Sequence, residues 1–337
     1  MPERLPWIDG LRVAAAFAVI VLHLSANAVV NDTVVNSVSW WTANLADSAV
    51  RWCVPVFVLI SGGLILPKVR TTGLAAFYKQ KFLRLGIPVA FWSLIYLSWN
   101  WIKIGHIDFP DAGERMLSGM PATHLWFLYM LLGLYAVAPF LAAFLSVAGR
   151  SLVRAAVILG FAIFSCQTLV VGHSGVPGGV FTLWLSYVPY FLLGSLLLSR
   201  PPLFSRRAAV AIFVGSVLLI ALLAGLLQPR LHDRACSTMY DNLNPLVILS
   251  ALAVFSLFHS RLTKVFSGAA VQRLAAVTLG IYLLHPLVIE LLGVVVYFVS
   301  GTLPVFAIPI MAVAVFVLSA AICLLISRSR AGRRLVC

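Results

Sequence analysis

Acidic side chains are scarce in this sequence. Only 10 of its 337 residues are Asp or Glu, against 24 Lys or Arg. Charged residues of both signs reach just 10%, which excludes an ordinary soluble globule. Cysteine is also sparse. The five cysteines are scattered, Cys53, Cys166 and Cys323 fall within apolar runs, and no spacing suggests a metal centre or a disulfide framework. No internal repeat, no low-complexity tract and no soluble appendage is visible.

What is abundant is apolar sequence. The chain is 62% hydrophobic, with repeated runs of the roughly 18 or more residues needed to cross a bilayer. The pattern predicts an all-α polytopic membrane protein forming one domain over residues 1–337. About ten spans surround a central cavity, at 11–30, 48–66, 86–103, 124–144, 152–171, 180–199, 208–227, 242–259, 274–298 and 303–327. In a soluble protein the net charge of +14 would suggest nucleic acid. In this topology the preference of cations for the cytoplasmic side explains it better, so no nucleic-acid partner is expected. With both termini cytoplasmic, all but Arg51, Lys103, Arg115, Arg230 and Arg234 of the 24 basic residues fall on inner segments. Ser25-Ala26-Asn27-Ala28 resembles a signal cleavage site, but the segment is read as a retained span.

The first span carries the densest chemistry. Asp9 and Arg12 lie at its foot, three residues apart on one helix face, where they can pair. His23 follows Arg12 by eleven residues, three helical turns plus about 20°, hence the same face ~16 Å further along. Ionisable groups inside a span are costly and line cavities or pathways.

Other candidates are more ambiguous. Ser61-Gly62-Gly63 in the second span suits close helix packing or the lining of a cavity. The inner loop 67–85 bears Lys68, Arg70, Lys79, Lys81 and Arg84, either a topology anchor on anionic lipid or a site for the phosphates of an acyl donor. Outer loop 104–123 holds His106, Asp108, Asp111 and Glu114, and loop 228–241 holds His232, Asp233, Arg234 and Asp241. Residues 171–179 read as a flexible outer turn. His124, Trp126 and Tyr129 open the fourth span as an interfacial aromatic belt with a solvated histidine, or as a rim on which sugar rings stack. Tyr282 and His285 lie in the ninth span. His285, twelve residues past Arg273, is expected at a depth like that of His23, either as a satisfied core histidine beside Pro286 or in a site shared with His23. Glu290 receives no role.

Taken together, these features resemble a known family. Trp7-Ile8-Asp9-Gly10-Leu11 precedes an R-x10-H pattern at Arg12 and His23. Val56-Phe57-Val58-Leu59-Ile60-Ser61-Gly62 follows in the second span, Lys81-Phe82-Leu83-Arg84 precedes Pro88, His124-Leu125-Trp126-Phe127 opens the fourth span, and Ile281-Tyr282-Leu283-Leu284-His285 lies in the ninth. This ordered set is similar to the acyltransferase-3 family of integral-membrane O-acyltransferases, and within it looks most like the enterobacterial common antigen O-acetyltransferases. The resemblance implies a multi-pass enzyme of the bacterial inner membrane. It would move an acyl group, usually acetyl, from cytoplasmic acyl-coenzyme A to a hydroxyl of an envelope polysaccharide or lipid-linked glycan. Acetyl-CoA is then a substrate, and no tightly bound cofactor or metal is expected.

It further implies that Arg12 and His23 match the family's essential Arg and His; with Asp9 orienting Arg12, His23 is read as the general base or proton relay, and a covalent acyl-histidine route stays open. Donor binding is assigned to Lys81, Arg84 and Ser61, and acceptor binding to His124, Trp126, Tyr129, Tyr282 and His285. The family's basic pair is written R-x-x-R. Lys81 replaces its first member, keeping the charge without the planar fork. A secondary transporter or exporter of lipid-linked sugar is the alternative class. Such folds show internal repeats or broken helices at equivalent positions, and neither is evident in the sequence.

Overall fold

Eight helical segments in the structure are long and apolar enough to cross a membrane, namely Pro6–Val29, Val38–Val69, Leu74–Lys103, Trp126–Val147, Arg150–Val171, Gly179–Leu197, Arg206–Arg230 and Val305–Ile326. A bent pair, Ala269–Ala276 with Thr278–Leu291, and a shorter apolar helix, Pro245–His259, complete the series. In order along the chain these correspond to the ten expected spans, and no strand occurs among the described residues. The computed structural model describes residues 5–31, 35–69, 71–105, 109–172, 179–231, 237–261, 266, 268–293 and 304–337. The expected loop features at His106, Asp108, His232, Asp233 and Arg234, the side chain of Asp111 and most of the 171–179 turn lie outside them.

The residues divide into two units interleaved along the chain. The first takes in Met1–Phe57, Phe164–Ser174 and Arg200–Arg328. At its centre is α1 (Pro6–Asn31), with proline at the helix start, where its missing N–H leaves no gap in the hydrogen bonding. Leu11, Ala15 and Ile20 of α1 are fully buried. Around α1 pack α2 (Val38–Val50), α11 (Pro245–Arg261), α12 (Ala269–Ala276), α13 (Thr278–Leu291) and α14 (Pro304–Ile326). Helix α10 (Arg206–Leu231) packs on α11 and α2.

Two expectations in this unit change. Residues 31–47 are not simply an outer loop, because α2 begins at Val38 with Ser37 capping it through the Trp40 N–H (3.0 Å). Its Trp40, Ala43, Asn44, Asp47 and Ser48 are all buried. A polar sequence conceals this, since Asn44, Asp47 and Ser48 are satisfied inside the protein rather than by water. The ninth span is also not one straight rod. It bends by 67° between α12 and α13, where Val277 leaves helical geometry (φ −107°, ψ 10°) and the Thr278 hydroxyl donates to the Ala275 carbonyl (3.0 Å).

The second unit takes in Val58–Ile163, Gly175–Ser199 and Ser329–Cys337. It carries most of α3 (Cys53–Val69) and of α8 (Arg150–Val171), together with α4 (Leu74–Lys81), α5 (Ile87–Ile104), α6 (Phe109–Leu117), α7 (Trp126–Val147), α9 (Val188–Leu197) and α15 (Arg330–Val336). The predicted inner loop 67–85 is mostly helix. A π-helical turn at Phe82–Gly86 joins α4 to α5, and such turns recur at functional positions. Within the predicted outer loop 104–123, Gly105 ends α5 in the left-handed conformation (φ +83°) and α6 follows. Helix α15 is tied to α5 by the Trp92 indole N–H, which donates to the Leu335 carbonyl (3.1 Å).

Small residues set the closest crossing. A Cβ at Gly62 would lie 1.9 Å from the Phe191 carbonyl oxygen, and one at Gly194 would lie 1.9 Å from that of Leu59. Helices α3 and α9 thus meet backbone to backbone, the packing reading of Ser61-Gly62-Gly63. Replacing Gly62 or Gly194 by Val should cost at least the ~1–3 kcal/mol typical of overpacking. The expected outcome is loss of a monodisperse peak and a lowered melting temperature in detergent. Gly215→Ala, at a position with open space, should leave both unchanged.

Candidate active site

In the first unit α1 is unbroken from Pro6 to Asn31, so the rise from Arg12 to His23 follows as read. Arg12 Nη1 lies 4.0 Å from Asp9 Oδ1; the Arg12 side chain is 30% exposed and that of Asp9 is 9%. The helical spacing therefore does bring Asp9 and Arg12 together. His23, although deep in an apolar helix, is only half-buried.

The two histidines meet. The His23 and His285 rings have centroids 5.1 Å apart at 41°. Tyr282 adjoins His285, their rings 5.8 Å apart. The depth estimate from Arg273 assumed a straight span and passed over the bend at Val277. His285 sits beside His23 and is fully buried.

The dipeptide His285-Pro286 explains how His285 is held. Proline has no N–H to give the carbonyl four residues back, which is that of Tyr282. His285 supplies the missing donor, with Nδ1 2.7 Å from the Tyr282 carbonyl oxygen. A carbonyl only accepts, so Nδ1 carries the proton, and in the neutral ring Nε2 is the basic nitrogen. One proline thus fixes both the tautomer and the orientation of its neighbour.

Sequence reasoning missed a third cluster. Arg51 was counted as an outer-side cation and Asp47 as part of a loop. In the structure Asp47 is wholly buried and accepts from Arg51 Nε (2.9 Å) and Nη2, and from Ser25 Oγ (3.2 Å). Arg51 also donates from Nη1 to the Tyr240 carbonyl (3.4 Å) and lies over the Tyr240 ring (4.4 Å). Alongside, Asn44 Oδ1 accepts from Tyr240 Oη (2.6 Å) and Ser48 Oγ (3.2 Å), while Asn44 Nδ2 donates to the Ala221 carbonyl (2.9 Å). The available signal was the i,i+4 spacing of Asp47 and Arg51 just before an apolar run.

The second unit holds the remaining candidates. Lys81 is 7% exposed, with Nζ 5.5 Å from the Phe77 ring centroid and 5.4 Å from that of Tyr135. Arg84, in the π-helical turn, is exposed, so the two do not form one evenly exposed basic face. The charges acting on Lys81 are those of Arg84 and Lys68, both positive. The chain end lies in the same region. Burial pushes the Cys337 thiol up, and Arg333 and Arg84 act against that shift. Ser61 is half-buried on α3.

His124 is not a solvated belt residue. It is 3% exposed and meets the Tyr96 ring edge-on at 4.6 Å. Tyr129 is 8% exposed, with its Oη 3.0 Å from Ser93 Oγ. Trp126 is half-buried, its ring 5.7 Å from that of Tyr187. Burial under α5 removes the open rim that the aromatic pattern suggests. Among the described residues no group of three or more His, Cys, Asp or Glu is placed to hold a metal ion.

Long apolar helices and two histidine rings in contact describe a multi-pass membrane protein, and comparison with known sequences gives its class. Residues 5–328 match the acyltransferase-3 family, described as an acyltransferase domain, and the chain belongs to that family. It is similar to the glucans biosynthesis protein C of Salmonella paratyphi B, Salmonella dublin and Salmonella enteritidis. Each is 25% identical over 312 residues, covering 83% of this chain and 80% of the relative. These comparisons do not confirm the expected likeness to the enterobacterial common antigen O-acetyltransferase. No solved structure matches the chain significantly. The protein is a multi-pass membrane acyltransferase.

The adjacency of His23 and His285 is directly testable. In a background lacking the five native cysteines, the double variant His23→Cys, His285→Cys should be bridged by Cd2+ or oxidised to a disulfide, as read by peptide mass spectrometry. Neither single variant should be. Failure of the pair to cross-link in folded protein would contradict the placement.

Proposed function

We propose that this protein is an O-acyltransferase of the bacterial inner membrane. It transfers an acyl group, acetyl in our reading, from cytoplasmic acyl-CoA to a hydroxyl of an envelope polysaccharide or lipid-linked glycan. The observation that carries the proposal is the His23–His285 contact inside the helices of an acyltransferase-3 chain. The relatives named for glucan biosynthesis support a glucan as one acceptor class.

A thioester is already activated, so the protein must place a hydroxyl against it and handle one proton. His23 is the ring a substrate can reach, because it retains surface while His285 has none. His23 takes the acceptor proton as general base. His285, its tautomer fixed by Tyr282, orients His23 and helps hold that proton. Arg12, steadied by Asp9, lies three turns along the same face and meets the anionic part of the donor. In the second unit Lys81 and Arg84, with Lys68, gather positive charge that donor phosphates would neutralise. Ser61 is a further donor contact in this scheme, and Trp126, which keeps surface, contacts the acceptor with the buried His124 and Tyr129 behind it.

The bend at Val277 favours a second reading, because broken helices mark transporter sites. A transporter of lipid-linked sugar would need no acyl donor, so binding of acetyl-CoA separates the two. Purified protein in detergent should bind acetyl-CoA at micromolar levels. Lys81→Met with Arg84→Met should weaken binding by about 100-fold or more, since each of the two lost charge-assisted contacts contributes ~1.5–3 kcal/mol. His23→Ala should insert normally and bind donor, but lose acyl transfer to the glycan in proteoliposomes. Full transfer by a well-expressed His23→Ala protein, or no acyl-CoA binding by the folded native chain, would overturn the proposal.

A further inference from the structure

The Asp47–Arg51 pair is a costly thing to build into a membrane helix. Two charges removed from water are stabilising only when their geometry is good and their remaining donors and acceptors are met. Asp47 meets that condition with bonds from Arg51 and Ser25. Arg51 does not. Its guanidinium has five N–H groups. One on Nε, one on Nη1 and one on Nη2 are engaged, which leaves a second N–H on each of Nη1 and Nη2 with no acceptor among the described residues. The exposure of the pair is equally one-sided: Asp47 has none, while the Arg51 side chain keeps 16%.

The register of α1 and α2 places that open edge. Ser25 bonds Asp47, a pairing centred on residue 36, the turn residue with φ +68°. Continued by four residues, the same register sets Arg51 level with Val21, one turn from Ser25. The guanidinium, drawn back toward Asp47, therefore lies at the depth of His23. An orienting carboxylate, a fixed guanidinium with two N–H groups to spare and a half-buried imidazole are thus collected within one unit of the protein.

We propose that Arg51 stabilises the negative charge that develops on the acyl carbonyl oxygen during transfer at His23, with Asp47 as the residue that positions it. This rests on the acyl-transfer reading above. In the step, the acceptor O–H bond breaks and its proton passes to His23. The acceptor oxygen forms a bond to the thioester carbon, and the carbonyl oxygen takes up the negative charge. That charge returns as the C–S bond breaks, and the departing thiolate leaves with the proton held by His23. Arg51 meets the oxygen only while it is charged, so it contributes to the rate rather than to binding.

The test is steady-state transfer from acetyl-CoA to a glycan acceptor by the full-length protein in proteoliposomes, alongside acetyl-CoA binding and thermal melts. Arg51→Gln should lower kcat by about 10²–10³-fold, the loss seen when one oxyanion donor is removed. KM for both substrates and affinity for acetyl-CoA should change by less than about threefold, within the scatter of a contact not made in the ground state. Arg51→Lys should retain part of the rate, and Asp47→Asn should lower kcat without altering donor affinity. Because Arg51→Gln alone leaves Asp47 unpaired, the doubly neutral Asp47→Asn, Arg51→Gln variant keeps a hydrogen-bonded pair without charge. It should fold and show the same kcat loss. A near-native kcat in folded variants, a loss confined to KM, or failure of both the single and the neutral-pair variants to fold would each overturn the role. No transfer by the native protein would overturn the acyl-transfer reading itself.

Discussion

Polar groups inside an apolar helix have little water to turn to, and those that are met are met within the chain. That constraint organises the first unit. Asn44 satisfies both ends of its amide through Tyr240, Ser48 and the Ala221 carbonyl. Asp47 is bonded by Arg51 and Ser25. The Tyr282 carbonyl, left without a donor by Pro286, takes one from His285. None of these bonds is decorative, because a buried polar group left unmet costs about 1–3 kcal/mol, and a charged one more. The helices α1, α2, α10 and α13 are therefore fixed partly by what their few polar residues require, and the reactive side chains are oriented by the same requirement.

The second unit answers the constraint differently. Its buried cation has no carboxylate partner among the described residues. Lys81 instead lies between the faces of Phe77 and Tyr135, an arrangement that contributes about 0.5–2 kcal/mol. The nearby charges of Arg84 and Lys68 oppose it. A cationic region assembled this way favours an anion more strongly than a neutral salt-bridged surface would. The exposed position of Arg84 in a π-helical turn suits recognition of a phosphate by a planar fork, a part Lys81 cannot play.

Much of this was legible from residue order. Apolar run length located the eight long apolar helices, because crossing hydrocarbon needs a minimum number of residues and tolerates few charges. The spacing of Asp9, Arg12 and His23 was readable because α1 is regular, and a straight helix turns sequence separation into geometry. Where helices break, the arithmetic fails. The bend at Val277 has no proline or glycine to announce it, and the π-helical turn at Phe82–Gly86 separates Lys81 from Arg84 in exposure although they are three residues apart. Composition misled at α2 as well. Asn44, Asp47 and Ser48 look like a solvated loop when counted, and become a core when each is given its partner. His124 and Tyr129 were misplaced for a related reason, since an aromatic cluster reads alike whether it faces the membrane surface or packs under α5.

The position of Arg51 draws these strands together. It is the C-cap of α2, where exposed carbonyls and the negative end of the helix dipole favour a cation. The chain turns at Arg51 and Trp52 before α3 starts at Cys53, so Arg51 stands at the end of α2 with its side chain reaching one turn back to Asp47. Arg51 keeps right-handed helical geometry (φ −58°, ψ −22°), so its side chain falls on the same face as Asp47 one turn earlier, the i,i+4 relation of a regular helix. The Trp52 indole N–H donates to the Ala49 carbonyl (2.9 Å), meeting one of the carbonyls left open where α2 ends, while the buried acid and the partly open base share its last turn. Local irregularity at Pro286, Val277 and Arg51 thus falls where the chemically active groups are, as expected if regular helices supply the scaffold and their interruptions supply the site.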